Sequence, residues 1–137
     1  MKTLFIFLTT LCFVVSCQTK QFSKTSNNTS PEISTSENDS IQYELIIIDT
    51  KFETFLATQP PMNFYSQQYY ETWNTQYVTE WNIRHGNPMR YGDFYETHID
   101  YDQATDYGLD LNYRLYYYFL FIEKEYGITL IKRAKTR

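Results

Sequence analysis

The chain has 137 residues, 16 of them acidic and 12 basic, and a formal net charge of −4. This acidic balance argues against nucleic acid as a partner, because phosphate contacts need a basic face. Cys12 and Cys17 are its only cysteines, so a disulfide cannot join two parts of a domain further along the chain.

The first 17 residues have the pattern of an export signal. An apolar run over residues 4–15 follows Lys2 and is too short to span a bilayer. The run ends in Val14-Val15-Ser16-Cys17, which resembles the lipobox of bacterial lipoproteins. We predict that residues 1–16 are removed and that Cys17 becomes a lipid anchor. The alternative is ordinary cleavage, which would leave Cys17 as a free N-terminal thiol.

Lipidation would make the membrane a partner of the chain through Cys17, because burial of several acyl chains holds a protein stably on a bilayer. No acidic run follows Cys17 such as directs some bacterial lipoproteins to the surface. We therefore expect a cell-envelope protein on the outer membrane that faces the periplasm, with the cell surface as the alternative.

The mature chain is predicted to have three parts. Residues 17–40 comprise the lipidated Cys17 and a flexible tether, since 13 of the 23 residues from 18 to 40 are Ser, Thr or Asn. Residues 41–131 form one compact domain. Residues 132–137 form a basic tail, predicted to be a solvated end, with anionic lipid headgroups or an acidic partner as the alternative contact.

Aromatic rings must supply much of the core of the domain at 41–131. All 14 tyrosines and both tryptophans of the chain lie in this segment. The same segment contains 13 acidic and 5 basic residues.

Hydrophobic periodicity and capping residues predict an α+β fold in the order β-α-α-β-α-β. About three helices would pack on one face of a small sheet of two or three strands. The end of the second helix is the clearest, with Arg84 in its last turn, Gly86 as a C-terminal cap and Pro88 just beyond. The predicted elements are, in chain order, strand 42–48, helix 51–57, helix 66–85, strand 94–102, helix 109–126 and a short strand at 128–131.

Several short motifs together resemble an uncharacterised family of short bacterial lipoproteins that carry a domain of unknown function. The likeness covers nearly all of residues 43–126. It implies export as a lipoprotein and a shared domain, and it brings no activity, ligand or catalytic residue. The motifs are Tyr43-Glu44-Leu45-Ile46-Ile47-Ile48-Asp49, Tyr65-Ser66-Gln67, Glu80-Trp81-Asn82, Tyr101-Asp102 and Asp106-Tyr107-Gly108.

One face of the predicted helix 66–85 combines rings with an ion pair. Glu80 and Arg84 are four residues apart with the acid first, the better orientation for a helical ion pair. Two interpretations remain open: a satisfied polar cluster at the core edge, or a ligand site with an aromatic platform and a charged centre. The candidate binding residues are Glu80, Arg84, Trp73, Tyr77 and Trp81, with Tyr69 and Tyr70 on the same face.

The predicted strand 94–102 places four possible metal ligands on one face, because side chains alternate along a strand. These weak candidates are Glu96, His98, Asp100 and Asp102. Carboxylates and imidazoles at such spacing do bind metals. A half-buried strand with a charged wet face predicts the same pattern without any metal.

The predicted helix 109–126 is apolar almost all round. One of its faces must pack on the sheet. The other is either covered by neighbouring helices or exposed as a ring-rich patch for a partner or for self-association.

The sequence favours a non-enzymatic envelope lipoprotein that binds a protein or a glycan through a tyrosine-rich surface. No G-x-S-x-G motif is present, and after cleavage no cysteine lies within the domain. One alternative is a metal-dependent or carboxylate hydrolase built on the four candidate ligands, acting on an envelope glycan or peptide. Another is a structural spacer. No cofactor is expected.

Overall fold

The computed structural model describes residues 30–38 and 40–133. The predicted signal peptide and Cys17 lie outside these residues. The first described elements are two antiparallel strands, β1 (Glu32–Asn38) and β2 (Ser40–Ile46). They form the two-stranded sheet of an α+β domain, and the elements that follow them in the described chain are helices.

Strand β2 is the predicted strand 42–48, shifted by two residues. Strand β1 lies inside the predicted tether, so that prediction is wrong for residues 32–38. Serine and threonine do not prevent a strand whose backbone groups pair with a neighbour. The pairing also places Ile33 opposite Leu45, which is buried in the core. Residues 17–29 of the predicted tether lie outside the described residues.

Two helices begin where capping residues predict them. They are α1 (Thr50–Leu56) and α2 (Gln67–His85). The side chains of Asp49 and Ser66 each accept a backbone N–H from the first turn of their helix, at 2.9 and 3.2 Å. Helix α2 ends at Gly86 as predicted. Both predicted helices are therefore confirmed to within one residue.

The last two helices are α3 (Pro88–Tyr91) and α4 (Gly108–Glu125). Helix α3 was not predicted: Pro88 does not only follow the end of α2 but also starts a new helix, since proline suits the first helical turn. Helix α4 agrees with the predicted helix 109–126, and Gly127 after it has a φ of +65°. Among the described helices, none combines the length and apolarity needed to cross a membrane.

Helix α4, rather than the sheet, forms the centre of the core. Tyr77 of α2 stacks on Phe119 at 4.9 Å between ring centroids, and Phe52 of α1 meets Phe121 at 5.8 Å. Both ring-rich faces are thus covered, which confirms the first of the two alternatives for this helix. Its buried residues are Leu111, Asn112, Tyr113, Leu115, Tyr116, Tyr117, Tyr118, Phe119, Phe121 and Ile122.

The predicted strand 94–102 is wrong, since no neighbouring strand pairs with this segment in the described chain. Side chains of α2 bind its backbone instead. Trp81 Nε1 donates to the carbonyl of Thr97 at 2.9 Å. The amide of Asn82 accepts from the N–H of Ile99 and donates to its carbonyl, both at 2.9 Å. A helix therefore satisfies groups that a second strand would otherwise have paired.

The predicted strand at 128–131 is also wrong. Residues 128–133, here called the strap, run without regular secondary structure over α2 and α4. The carboxylate of Glu123 accepts the N–H groups of Leu130 and Ile131 at 2.9 and 3.2 Å. The order of strands and α-helices in the described residues is ββαααα, so the predicted order β-α-α-β-α-β is wrong. Side chains bind the backbone of the two segments that were expected to pair as strands.

A pair of fully buried amides joins α2 to α4. Asn74 Nδ2 donates to the backbone carbonyl of Asn112 at 2.9 Å, and Tyr101 Oη donates to the side-chain oxygen of Asn112 at 2.7 Å. The Oδ1 atom of Asn74 has no partner among the described residues. Such a pair fixes one register between two helices that ring packing alone would leave adjustable.

Candidate functional site

Arg84 lies at the junction of three segments rather than in an open ligand site. Its Nε atom donates to Glu80 at 2.7 Å, and its Nη1 atom donates to Tyr95 Oη at 2.8 Å. Its Nη2 atom donates to the carbonyls of Thr129 at 2.8 Å and Leu130 at 3.4 Å. The guanidinium thus binds α2, the segment after α3 and the strap together, as expected for a satisfied polar cluster at the core edge.

Trp81 and Tyr77 are completely buried, so they do not form a platform on the surface. Trp81 contacts Tyr95 edge-on, with ring centroids 4.9 Å apart. Among the two tryptophans of the predicted set, Trp73 is the half-buried one. The candidate binding face therefore divides into a core part near Trp81 and a surface part near Trp73.

We expect Arg84→Met to lower the free energy of unfolding by about 2 kcal/mol, because the substitution removes a charged donor from several partly buried acceptors. Urea denaturation would measure the change. Arg90→Met is the matched control, since Arg90 is exposed on α3, and we expect a change within about 0.5 kcal/mol. Equal losses for the two variants would contradict the structural role of Arg84.

The four candidate metal ligands do not form a metal site. Their segment keeps the predicted alternation of burial, with Tyr95 and Ile99 inside, but Glu96, His98, Asp100 and Asp102 are all exposed. Among the described residues, no group of three or more His, Cys, Asp and Glu side chains is arranged to hold a metal ion. Asp102 instead accepts the backbone N–H of Ala104 at 3.0 Å in a local turn.

The structure shows a site that the sequence did not predict, formed where the strap ends. Trp73, Tyr77 and Tyr116 surround the guanidinium of Arg133, and we call these three rings the cage. The Cζ atom of Arg133 lies 4.7, 5.3 and 5.4 Å from their respective ring centroids. These distances are those of cation–π contacts. Arg133 is exposed overall, as expected for the solvated basic tail, but its guanidinium also contacts these rings, which the sequence did not predict.

Hydroxyl groups complete the cage. Arg133 donates from Nε and Nη2 to Tyr77 Oη, the first at 2.9 Å, and from Nη1 to Tyr116 Oη at 3.2 Å. Tyr116 Oη lies 3.3 Å from Tyr69 Oη, which holds its ring in place. The guanidinium is thus recognised by ring faces and by oriented acceptors together.

Tyr77 connects the cage to a negative charge. Its hydroxyl lies 3.3 Å from Glu123 Oε2 and donates to it. Burial raises the pKa of Tyr77 well above its ordinary value, so the hydroxyl remains protonated and can act as this donor. Glu123 therefore stabilises the guanidinium through Tyr77 rather than through a direct ion pair.

A groove runs along α2 between that helix and the strap, lined by residues next in sequence to Tyr77 and Arg133 of the cage site. Its volume is about 420 Å³, and it is open to solvent on one side. One wall comes from α2 and the other from the strap. None of the four candidate metal ligands lines it, so the Glu80 side of α2 and the segment 96–102 do not converge there. The lining residues are Thr75, Gln76, Thr79, Glu80, Leu130, Ile131 and Lys132.

The sequence contained part of the signal for this cage. Trp73 and Tyr77 are four residues apart, which places them side by side on a helix, and the tail was identified as basic. Nothing in the sequence related Tyr116 or Arg133 to them, because those residues are distant along the chain.

The fold and the site define a small α+β domain with an aromatic core and a ring-lined cation site at its surface. The chain matches the model of a family of unknown function, DUF6146, over residues 4–137 and belongs to that family. This confirms the resemblance to a domain of unknown function, while lipidation remains a prediction. No curated protein and no solved structure matches the chain.

Proposed function

We propose that this protein is a cell-envelope lipoprotein, anchored through Cys17, whose domain is a non-enzymatic binding module for a protein or glycan partner. The observation that carries the binding role is the cage beside an open groove. Trp73 is half-buried, and the hydroxyls of buried Tyr77 and Tyr116 bind the exposed Arg133, so ring faces and polar atoms converge on one cation at the end of the strap. That combination is typical of recognition sites rather than of general packing.

The geometry gives the hydrolase alternative little support. A hydrolase needs an acid and a base, or a metal, close to one substrate position. The exposed side chains in this region belong to separate positions of an irregular segment, Glu96, His98, Asp100 and Asp102. The spacer alternative is favoured by one observation, the burial of both faces of α4, which removes that helix as a docking surface.

Metabolic labelling with a fatty-acid precursor tests the anchor. We expect label on the wild-type chain and none on Cys17→Ser, because only the lipobox cysteine is expected to be acylated. Cys12→Ser is the matched control and should keep the label. Label that persists in Cys17→Ser would exclude the proposed anchor.

Cross-linking in cells tests the binding role. The wild-type chain and Trp73→Ala would be compared for cross-linked proteins and for retention on cell-wall glycans. We expect a partner that is recovered with the wild-type chain and lost with Trp73→Ala. Met89→Ala, which changes a fully exposed apolar side chain on α3, should behave as wild type. Identical recovery of a partner from all three chains would place binding outside the cage, and no recovery from any would favour the spacer.

A further inference from the structure

The rings of the cage are held by contacts other than those with Arg133. Tyr77 is fully buried and stacks on Phe119 with an interplanar angle of 10°. Tyr116 is held by Tyr69. The Trp73 ring lies 6.3 Å from Tyr77. A site whose walls are fixed by their own packing remains formed when its occupant leaves, and it is therefore preorganised for a cation.

The strap, which bends at Leu130 and Ile131, is bound in the way that proteins bind a short peptide segment. Its backbone groups are paired with side chains of the domain: Glu123 accepts the N–H groups of residues 130 and 131, and Arg84 donates to the carbonyls of residues 129 and 130. Leu130 is buried and Arg133 fills the cage. Backbone contacts between two side-chain anchors can be reproduced by any chain of similar sequence.

We propose that the cage recognises an arginine side chain in a non-helical segment of a partner protein, and that Arg133 occupies the cage until such a segment displaces it. This inference deepens the binding role proposed above and rests on it. Charge favours a basic partner, because residues 41–131 contain 13 acidic and 5 basic side chains. Arginine suits the cage better than lysine, because its planar group bonds two hydroxyls while it stacks on rings.

An internal occupant weakens binding of an external one. A free peptide can enter only the fraction of molecules whose cage is empty, and its apparent affinity falls by that fraction. A tethered occupant is present at an effective concentration in the millimolar range. Removal of Arg133 should therefore increase the apparent affinity for an arginine peptide by about tenfold or more.

Calorimetric titration of the full chain in detergent tests this inference. The probes are a capped peptide with the sequence of residues 128–133 and the same peptide with citrulline, an uncharged isostere, in place of arginine. We expect Arg133→Ala to bind the arginine peptide about tenfold more tightly than the wild-type chain does. The same variant should bind the citrulline peptide about tenfold less tightly than it binds the arginine peptide. Met89→Ala, at an exposed position on α3 outside the cage and the groove, is the control and should match wild type.

Two further chains keep the test decisive if Arg133→Ala folds poorly. Arg133→Lys leaves a cation in the cage with fewer donors and should show intermediate affinity. Trp73→Ala combined with Arg133→Ala should lose the arginine peptide while keeping its circular dichroism spectrum. Equal binding of the arginine and citrulline peptides, or no binding to any folded variant with an emptied cage, would overturn the proposal.

Oligomeric state separates a partner protein from a second copy of this chain. A wild-type dimer that dissociates on Arg133→Ala would show that a second copy fills the cage, and this would overturn the proposed partner. If the peptide does not bind but a partner is still cross-linked in a way that requires Trp73, only the arginine site is refuted. Failure of both experiments would refute the binding module as well.

Discussion

Raising the pH above 10 is expected to unfold this domain steeply. Burial raises the pKa of seven tyrosines above their ordinary value near 10, so their ionisation is opposed in the folded chain and free in the unfolded chain. Between those values the unfolded state binds fewer protons than the folded state, and stability falls as the pH rises. The seven are Tyr69, Tyr70, Tyr77, Tyr101, Tyr113, Tyr117 and Tyr118.

Because the tyrosine pKa values are raised in the folded chain, the free energy of unfolding decreases as the pH rises. Stability from the neutral tyrosines is fully present below pH 10 and is lost as the pH rises toward the folded-state pKa values. Each tyrosine that ionises only on unfolding contributes about 1.4 kcal/mol per pH unit. Several of them together would exceed the stability of an ordinary domain, about 5–15 kcal/mol, within a few pH units.

Tyrosinate absorbance and circular dichroism, followed together during an alkaline titration, measure this transition. We expect the buried tyrosines to ionise in one cooperative step that coincides with loss of helix. Tyr118→Phe removes one fully buried hydroxyl and should flatten the dependence of stability on pH by about one proton. Gradual ionisation of all tyrosines near pH 10 with the helices intact would contradict the expectation.

Trp81→Ala is expected to lower the free energy of unfolding by about 3–5 kcal/mol. Trp81 is completely buried and contacts Tyr95, Tyr118 and Phe119, so the truncation leaves a cavity in the centre of the core. It also removes the hydrogen bond from Nε1 to the Thr97 carbonyl. Urea denaturation followed by circular dichroism would measure the loss.

Trp73→Ala is the control for that substitution, because it changes the same residue type on the same helix at a half-buried position. We expect it to lower stability by about 1–2 kcal/mol. Equal losses at the two positions would mean that the division of α2 into a core part and a surface part is wrong.

Capping chemistry made the longer helices predictable. Gly86, identified from the sequence as a cap, stands where α2 ends, and Arg84 lies in the last turn as expected. These requirements act over a few residues, so the sequence alone contains them. The aromatic composition of residues 41–131 likewise predicts a ring-packed core.

The segment from Tyr95 to Ile99 shows where local pattern becomes ambiguous. Its alternation correctly placed Tyr95 and Ile99 inside, because one side of the chain faces the core. Alternation does not show which groups bind the backbone of this segment. The side chain of Asn82 in α2 bonds the backbone of Ile99, where a neighbouring strand was expected to pair. The metal prediction required a strand, because only a strand would place the four candidate ligands on one face. The segment is irregular, so the four side chains do not share a regular face.

The sequence by itself determined the longer helices, the acidic balance and the supply of aromatic rings, because each depends on composition or on residues a few positions apart. Only the tertiary structure decided that Trp73, Tyr77 and Tyr116 would meet Arg133. That site requires α2, α4 and the strap to come together, and its contacts join residues as far apart as 73 and 133. Contacts over such distances depend on how whole elements pack, which no local pattern records.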